Sequence, residues 1–234
     1  MSKKIVRQLV LDTETTGLSP RDGNRIIEIG CVELINRKLT GNNLHFYINP
    51  ERDSEEGALA VHGLTTEFLS DKPKFAEIAG QLCEYIRGAE IIIHNAPFDL
   101  GFLNAEFSRL QLDPFTSYSG EVIDTLVQAK ELHPGKRNSL DALCDRYGIS
   151  NAHRKLHGAL LDAELLADVF LAMSRGQNSF VIDVEEEVQP EIQDEVFHDL
   201  PLADIRVHLA SAEEVQEHEV VLKGLKQDCI WRNL

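Results

Sequence analysis

Residues 90–94, EIIIH, constrain the fold more than any other stretch of the chain. They follow a segment in which Phe75, Ile78, Ala79, Leu82 and Ile86 recur at helical spacing and Gly88 supplies a stop. A strand apolar on both faces needs cover on both, and one reached through a helix fits a parallel place in the interior of a sheet. Three extended segments precede it: IVRQLVLD from Ile5, RIIEIGCVELI from Arg25 and LHFYINP from Leu44. NRKLTGNN joins the last two as a hairpin-like loop, so an antiparallel meander is expected. Further helices are expected over about 97–110, from an Asn138 or Ser139 cap to Gly148, and over about 158–174. The predicted fold class is α/β, a mixed sheet flanked by helices.

After Arg175 this patterning fails. VIDVEEEVQPEIQDEVFHDLP is acidic and aperiodic and reads as a flexible linker. LADIRVHLASAEEVQEHEVVLKGL then regains a pattern, a short strand and a helix capped near Ser211, in a segment too short to fold unaided. At 234 residues the chain has room for one domain of roughly 150–200 residues and an appendage. No apolar run approaches the roughly 18 residues of a membrane span, and the N-terminus does not read as a signal peptide. A cytoplasmic protein without a membrane partner is the expectation. Cys31, Cys83, Cys144 and Cys229 are widely spaced, which indicates reduced thiols and no zinc site.

The formal net charge of -16 argues against gripping nucleic acid by bulk electrostatics alone. Its distribution is uneven: 19 Lys/Arg stand against 25 Asp/Glu in residues 1–176, and 4 against 14 in the remainder.

LVLDTETTGL, residues 9–18, ends an apolar strand with Asp12 and Glu14, which alternation places on one face. Paired carboxylates repel unless a cation or a proton intervenes. Asp99, in HNAPFDLGFL, lies just past the buried strand near the start of the next helix, where α/β sheets place ligand sites. Asp162, in LHGALLDAELLADVFLAM, falls on the apolar stripe of its helix with Leu166, Phe170 and Met173, a costly position for a charge without a partner. His157 precedes that helix. Four carboxylates and one histidine, without clustered Cys, select Mg²⁺ or Mn²⁺. Two such ions roughly 3.5–4 Å apart are the recurring device for phosphodiester hydrolysis.

LVLDTETTGL, HNAPFDLGF and LHGALLDA resemble the three motifs of the DEDDh 3'-5' exonucleases, and the whole chain resembles the proofreading epsilon subunits of bacterial DNA polymerase III. The resemblance implies a ribonuclease H-like fold. It also implies two divalent metal ions held by Asp12, Glu14, Asp99 and Asp162, with Asp12 bridging, and His157 as general base. VHGLT resembles the segment lining a terminal-nucleotide pocket, which makes His62 a substrate contact beside Asp12, Glu14 and Asp162. The acid that the family often has shortly before this histidine aligns by spacing with Gly57, next to Glu55 and Glu56. Phe98 and Phe102 either pack beneath the terminal base or fill the core, Thr13 and Thr15 point away from the metals, and Asp124 reads as structural.

The implied substrate is a DNA 3' terminus. GQNSFVI is similar to a sliding-clamp peptide with Gln177, Phe180 and Ile182 as anchors, and the last segment to the part that docks on the polymerase alpha subunit. A small accessory subunit is a further possible partner. The expected organisation is an exonuclease domain over 1–176, a clamp peptide over 177–182, an acidic linker over 183–199 and a docking segment over 200–234. A free-standing RNA exonuclease and a non-catalytic clamp-polymerase adaptor are the competing readings.

Overall fold

The computed structural model describes residues 6–152, 156–175 and 210–224. The chain divides into two units, Met1–Ile182 and Asp183–Leu234. In the first, β1 (Arg7–Thr15), β2 (Ile26–Ile35), β3 (Lys38–Leu39) and β4 (Leu44–Tyr47) are followed by α1 (Glu56–His62), α2 (Thr66–Leu69) and α3 (Phe75–Ile86). Then come β5 (Glu90–Ile93), α4 (Ala96–Arg109), β6 (Val122–Asp124), α5 (Thr125–Leu132), α6 (Leu140–Tyr147) and α7 (Ala159–Met173).

The sheet runs β3-β2-β1-β5-β6, with β4 also paired to β2. β5 lies parallel to both β1 and β6, so the apolar EIII strand is interior, and its side chains are buried at Ile91, Ile92 and Ile93. The expected meander is present as β1, β2 and β4, all antiparallel where they pair. Within NRKLTGNN, however, Lys38 and Leu39 form the two-residue strand β3, because the positive φ of Asn36 and Arg37 turns the chain straight back on β2. Besides β3, the strands and α-helices not foreseen among the described residues are α1, α2, α5 and β6. The first two are only seven and four residues long, too short to show a period.

Alternation along β1 sends its residues to two different cores. Leu9 and Leu11 join Ile29 and Cys31 against α3 and α4, with Phe75, Leu82, Phe102 and Phe107 buried among them. Val10 joins Val32, Leu34 and Ile92 on the opposite face, against Ala163, Leu166, Ala167 and Phe170 of α7. Asp12 and Glu14 continue this second face, so the strand delivers them beneath the start of α7.

Cys31, Cys83 and Cys144 are buried free thiols, and burial pushes Cys31 up to about 12. In the second unit α8 (Ala212–Gly224) is capped by Ser211, whose hydroxyl accepts from the Glu214 N–H while the Glu214 carboxylate accepts from the Ser211 N–H. The expected linker, the strand after Leu202, Cys229 and Gln177, Phe180 and Ile182 lie outside the described residues. Among the described residues no helix is long and apolar enough to cross a membrane.

Candidate active site

Three segments far apart in sequence meet at the end of β1. In register, Asp12 faces Gly30 and Glu14 faces Glu28 of β2. Gly30 sets how closely α7 approaches: a Cβ there would lie 2.3 Å from the Leu160 nitrogen and 2.4 Å from the Ala159 carbonyl carbon. Without that Cβ the first turn of α7 rests directly on β2 beside Asp12, and Asp162 in the same turn is brought over the acids of β1. The segment before α7 is tied to α1, since the His157 N–H donates to the Val61 carbonyl at 3.1 Å.

Donor atoms of Glu14, His157 and Asp162 consequently lie within 4.8 Å of one another. His157 Nδ1 is 3.4 Å from Asp162 Oδ2, and the two side chains are 45% and 5% exposed. An exposed ring over a buried carboxylate is suited to exchanging protons with solvent while the acid stays fixed. Carboxylate oxygens in such a group are hard ligands, and the three residues together could hold a metal ion.

Asp99 arrives from the other side of β1, in the first turn of α4. It is 3% exposed, and burial pushes its carboxyl up to about 7, against the hydrogen bonds that favour its ionised form. One of these comes from Thr13, whose hydroxyl donates to Asp99 Oδ1 at 2.7 Å. Thr13 does point away from Asp12 and Glu14, as alternation required, and for that reason it reaches Asp99. Its role was hidden in the sequence because nothing local marks a contact 86 residues away.

A pocket of about 380 Å³ adjoins Glu14, walled by Thr13, Thr15, Gly57, Ala58, Val61, His62 and Phe98. His62 is 3% exposed. Its Nδ1 accepts from the Leu64 N–H at 2.9 Å, so the neutral ring carries its proton on Nε2, which is buried with no hydrogen-bond partner among the described residues. Burial lowers its pKa and keeps the ring neutral, with Glu28 acting in the opposite sense. His62 therefore lines the pocket with a neutral ring whose Nε2–H is buried. Gly57 lines the pocket without a side chain, and the carboxylate on this rim is Glu55, whose Oε1 accepts from Asn24 Nδ2 at 2.7 Å. Phe102 is buried in the core, whereas Phe98 packs against that core and also walls the pocket. Asp124 is structural: its Oδ1 caps α5 and also accepts from the Asn95 N–H at the start of α4.

Glu28 escaped the sequence reading. It is 2% exposed, directly opposite Glu14, and 2.7 Å from His45 Nε2. Its signal was available, since with Glu33 it interrupts the apolar run of β2.

A family model described as exonuclease matches residues 9–170. Over 242 residues the chain is 49% identical to the DNA polymerase III subunit epsilon of Escherichia coli K12, covering 99% of this chain and all of that one. The corresponding Pasteurella multocida protein is 51% identical over 238 residues, 96% of this chain and 93% of the other. The chain belongs to the DNA polymerase III epsilon subunits. It is thus a proofreading 3'-5' exonuclease, and its family is metal-dependent.

Among solved structures, exonuclease X in complex with 5' overhanging duplex DNA superposes with a TM-score of 0.58 at 26% identity, over 74% of this chain and 93% of that one. E. coli exonuclease I with a dT13 oligonucleotide gives 0.63 at 20% identity, over 74% and 42%, a likeness of fold.

Proposed function

We propose that this site removes the 3'-terminal deoxynucleotide of DNA by hydrolysis assisted by two divalent ions, Mg²⁺ or Mn²⁺. The convergence of Glu14, His157 and Asp162 within 4.8 Å carries this reading. Asp12, Glu14 and Asp162 would hold one ion, and Asp12 together with Asp99, directly or through water, would hold the second. When bound, the ions neutralise the gathered carboxylates, stabilise charge on the phosphate and favour ionisation of the attacking water.

His157 is the general base. It takes the water's proton and, being exposed, passes it to solvent. His62 donates from Nε2 to the terminal nucleotide, while Gly57 leaves room beside it and Phe98 walls the pocket. A mispaired end enters such a pocket more readily than a stacked one because it forfeits less pairing and stacking.

The same reading assigns the remaining chain. The region over 200–234 docks on the polymerase alpha subunit, Gln177, Phe180 and Ile182 engage the sliding clamp, 183–199 links the two, and a small accessory subunit binds the exonuclease domain. This role places the protein in the cytoplasm with the replicating chromosome. Hydrolysis of 5'-labelled DNA with a 3' mismatch, and of the same strand as RNA, compared between the wild type and His157→Ala in Mg²⁺, tests the proposal. The expected result is rapid shortening of DNA that falls by about 10²–10⁴ in the variant. Preference for RNA would move the chain to an RNA-trimming role, and inactivity on both would leave the adaptor reading.

A further inference from the structure

The loop between α5 and α6 is held unusually firmly for a surface connection. The Lys136 N–H donates to the His133 carbonyl at 3.2 Å, and Gly135 makes the turn at φ +71°. Arg146 of α6 reaches back with both ends of its guanidinium, to Asn138 Oδ1 at 3.0 Å and to the Arg137 carbonyl at 2.7 Å. His133 Nε2 lies 2.7 Å from the Tyr147 hydroxyl. The loop thus spends one cation on its own backbone and presents two others outward. Lys136 and Arg137 are both exposed, and neither side chain forms an ion pair among the described residues.

Its position follows from the sheet. The Asn138 backbone acts on the ring of His94, the residue after β5, and His94 also contacts Thr125, the first residue of α5, at 2.9 Å. β1, β5 and β6 are mutually parallel, so this is the same end of the sheet at which β1 delivers Asp12 and Glu14. From His94 the chain runs directly into α4, whose first turn, with a rise of about 5.4 Å, carries Asp99.

We propose that Lys136 and Arg137 hold backbone phosphates of the nucleic-acid strand that feeds the active site, a contact separate from the terminal-nucleotide pocket. The inference rests on the exonuclease reading and extends it to how the strand is held. In a chain of net charge -16, a pair of exposed cations on a tied-down loop at this end of the sheet is the kind of feature that attracts a polyanion locally. The ordering of the loop is already met by Arg146, so binding immobilises only two side chains. Asp145 lies on the same shallow recess as Lys136 and Arg137 and weakens the attraction.

The test uses the full chain and two substrates: a single-stranded oligonucleotide, and thymidine 5'-phosphate p-nitrophenyl ester, which has no upstream phosphates. Lys136→Ala/Arg137→Ala is expected to raise KM for the oligonucleotide several-fold with kcat unchanged, and to leave the ester untouched. Its log KM should also lose salt dependence, by a slope of about 1.4 at about 0.7 per released phosphate contact. Lys136→Arg/Arg137→Lys should keep the wild-type values, and Asp145→Asn should lower KM. Unchanged KM and slope, or equal losses on both substrates, would overturn the proposal. Failure of the wild type to cleave either substrate would instead overturn the exonuclease reading itself.

Discussion

Glu106 and Asp162 are buried to nearly the same degree, on opposite sides of the sheet, and the chain deals with the two charges differently. Glu106, on α4, is clasped by Arg25, whose Nε and Nη2 donate to its two oxygens at 2.6 and 2.8 Å. Glu33 is treated likewise by Arg7 at 2.6 Å. Asp162 is set beside another carboxylate, Glu14, and an exposed histidine. Where a buried acid serves the fold, its cation comes from the chain itself. Where acids are gathered, as at the proposed metal site, an ion from solution would supply compensating charge.

That contrast is broken or sharpened by truncating each acid. Asp162→Ala should reduce nuclease activity to background while leaving thermal stability without metal unchanged or raised, because a site of mutual repulsion has lost a charge. Glu106→Ala should do the reverse. It leaves Arg25 without its partner and should cost about 3–5 kcal/mol in denaturant unfolding, with turnover per folded molecule preserved. Loss of activity in folded Glu106→Ala would mean that α4 couples the two regions.

Two smaller effects probe how the site is held together. Gly30→Ala forces a Cβ against the backbone of α7, and a displacement of about 1 Å in that helix should lower kcat about 10²-fold. A crystal structure of the variant with α7 unmoved would refute this. Thr13→Val removes the hydroxyl that holds Asp99 and should lower metal affinity or kcat by about tenfold, toward the weak end of such supporting contacts. No change in either quantity would show that α4 alone orients Asp99.

Periodicity revealed the elements that are long or covered on both faces. α3, α4, α6 and α7 lie within a residue or two of their expected bounds, and β5 is interior and parallel because EIII leaves no polar face. α1 and α2 were missed since a helix of one or two turns has no period to read, and its stability comes from packing. Among site residues, Asp162 was legible as an acid on an apolar stripe, and Asp12 with Glu14 as a pair on one strand face. Thr13 and the Asn24–Glu55 contact were not, because each acts through a partner that only the folded chain brings near. Phe98 and Phe102, four residues apart on α4, had different fates that helical spacing alone does not distinguish.

On the proposed reading, the acids at the end of β1 and the start of α7 are gathered to hold divalent metal. Calorimetric titration of Mn²⁺ into the wild type, His157→Ala and Asp162→Ala tests it most directly, without reference to turnover. Saturable binding to the first two proteins and its loss in the third are expected. Equal binding to folded Asp162→Ala and wild type would contradict it.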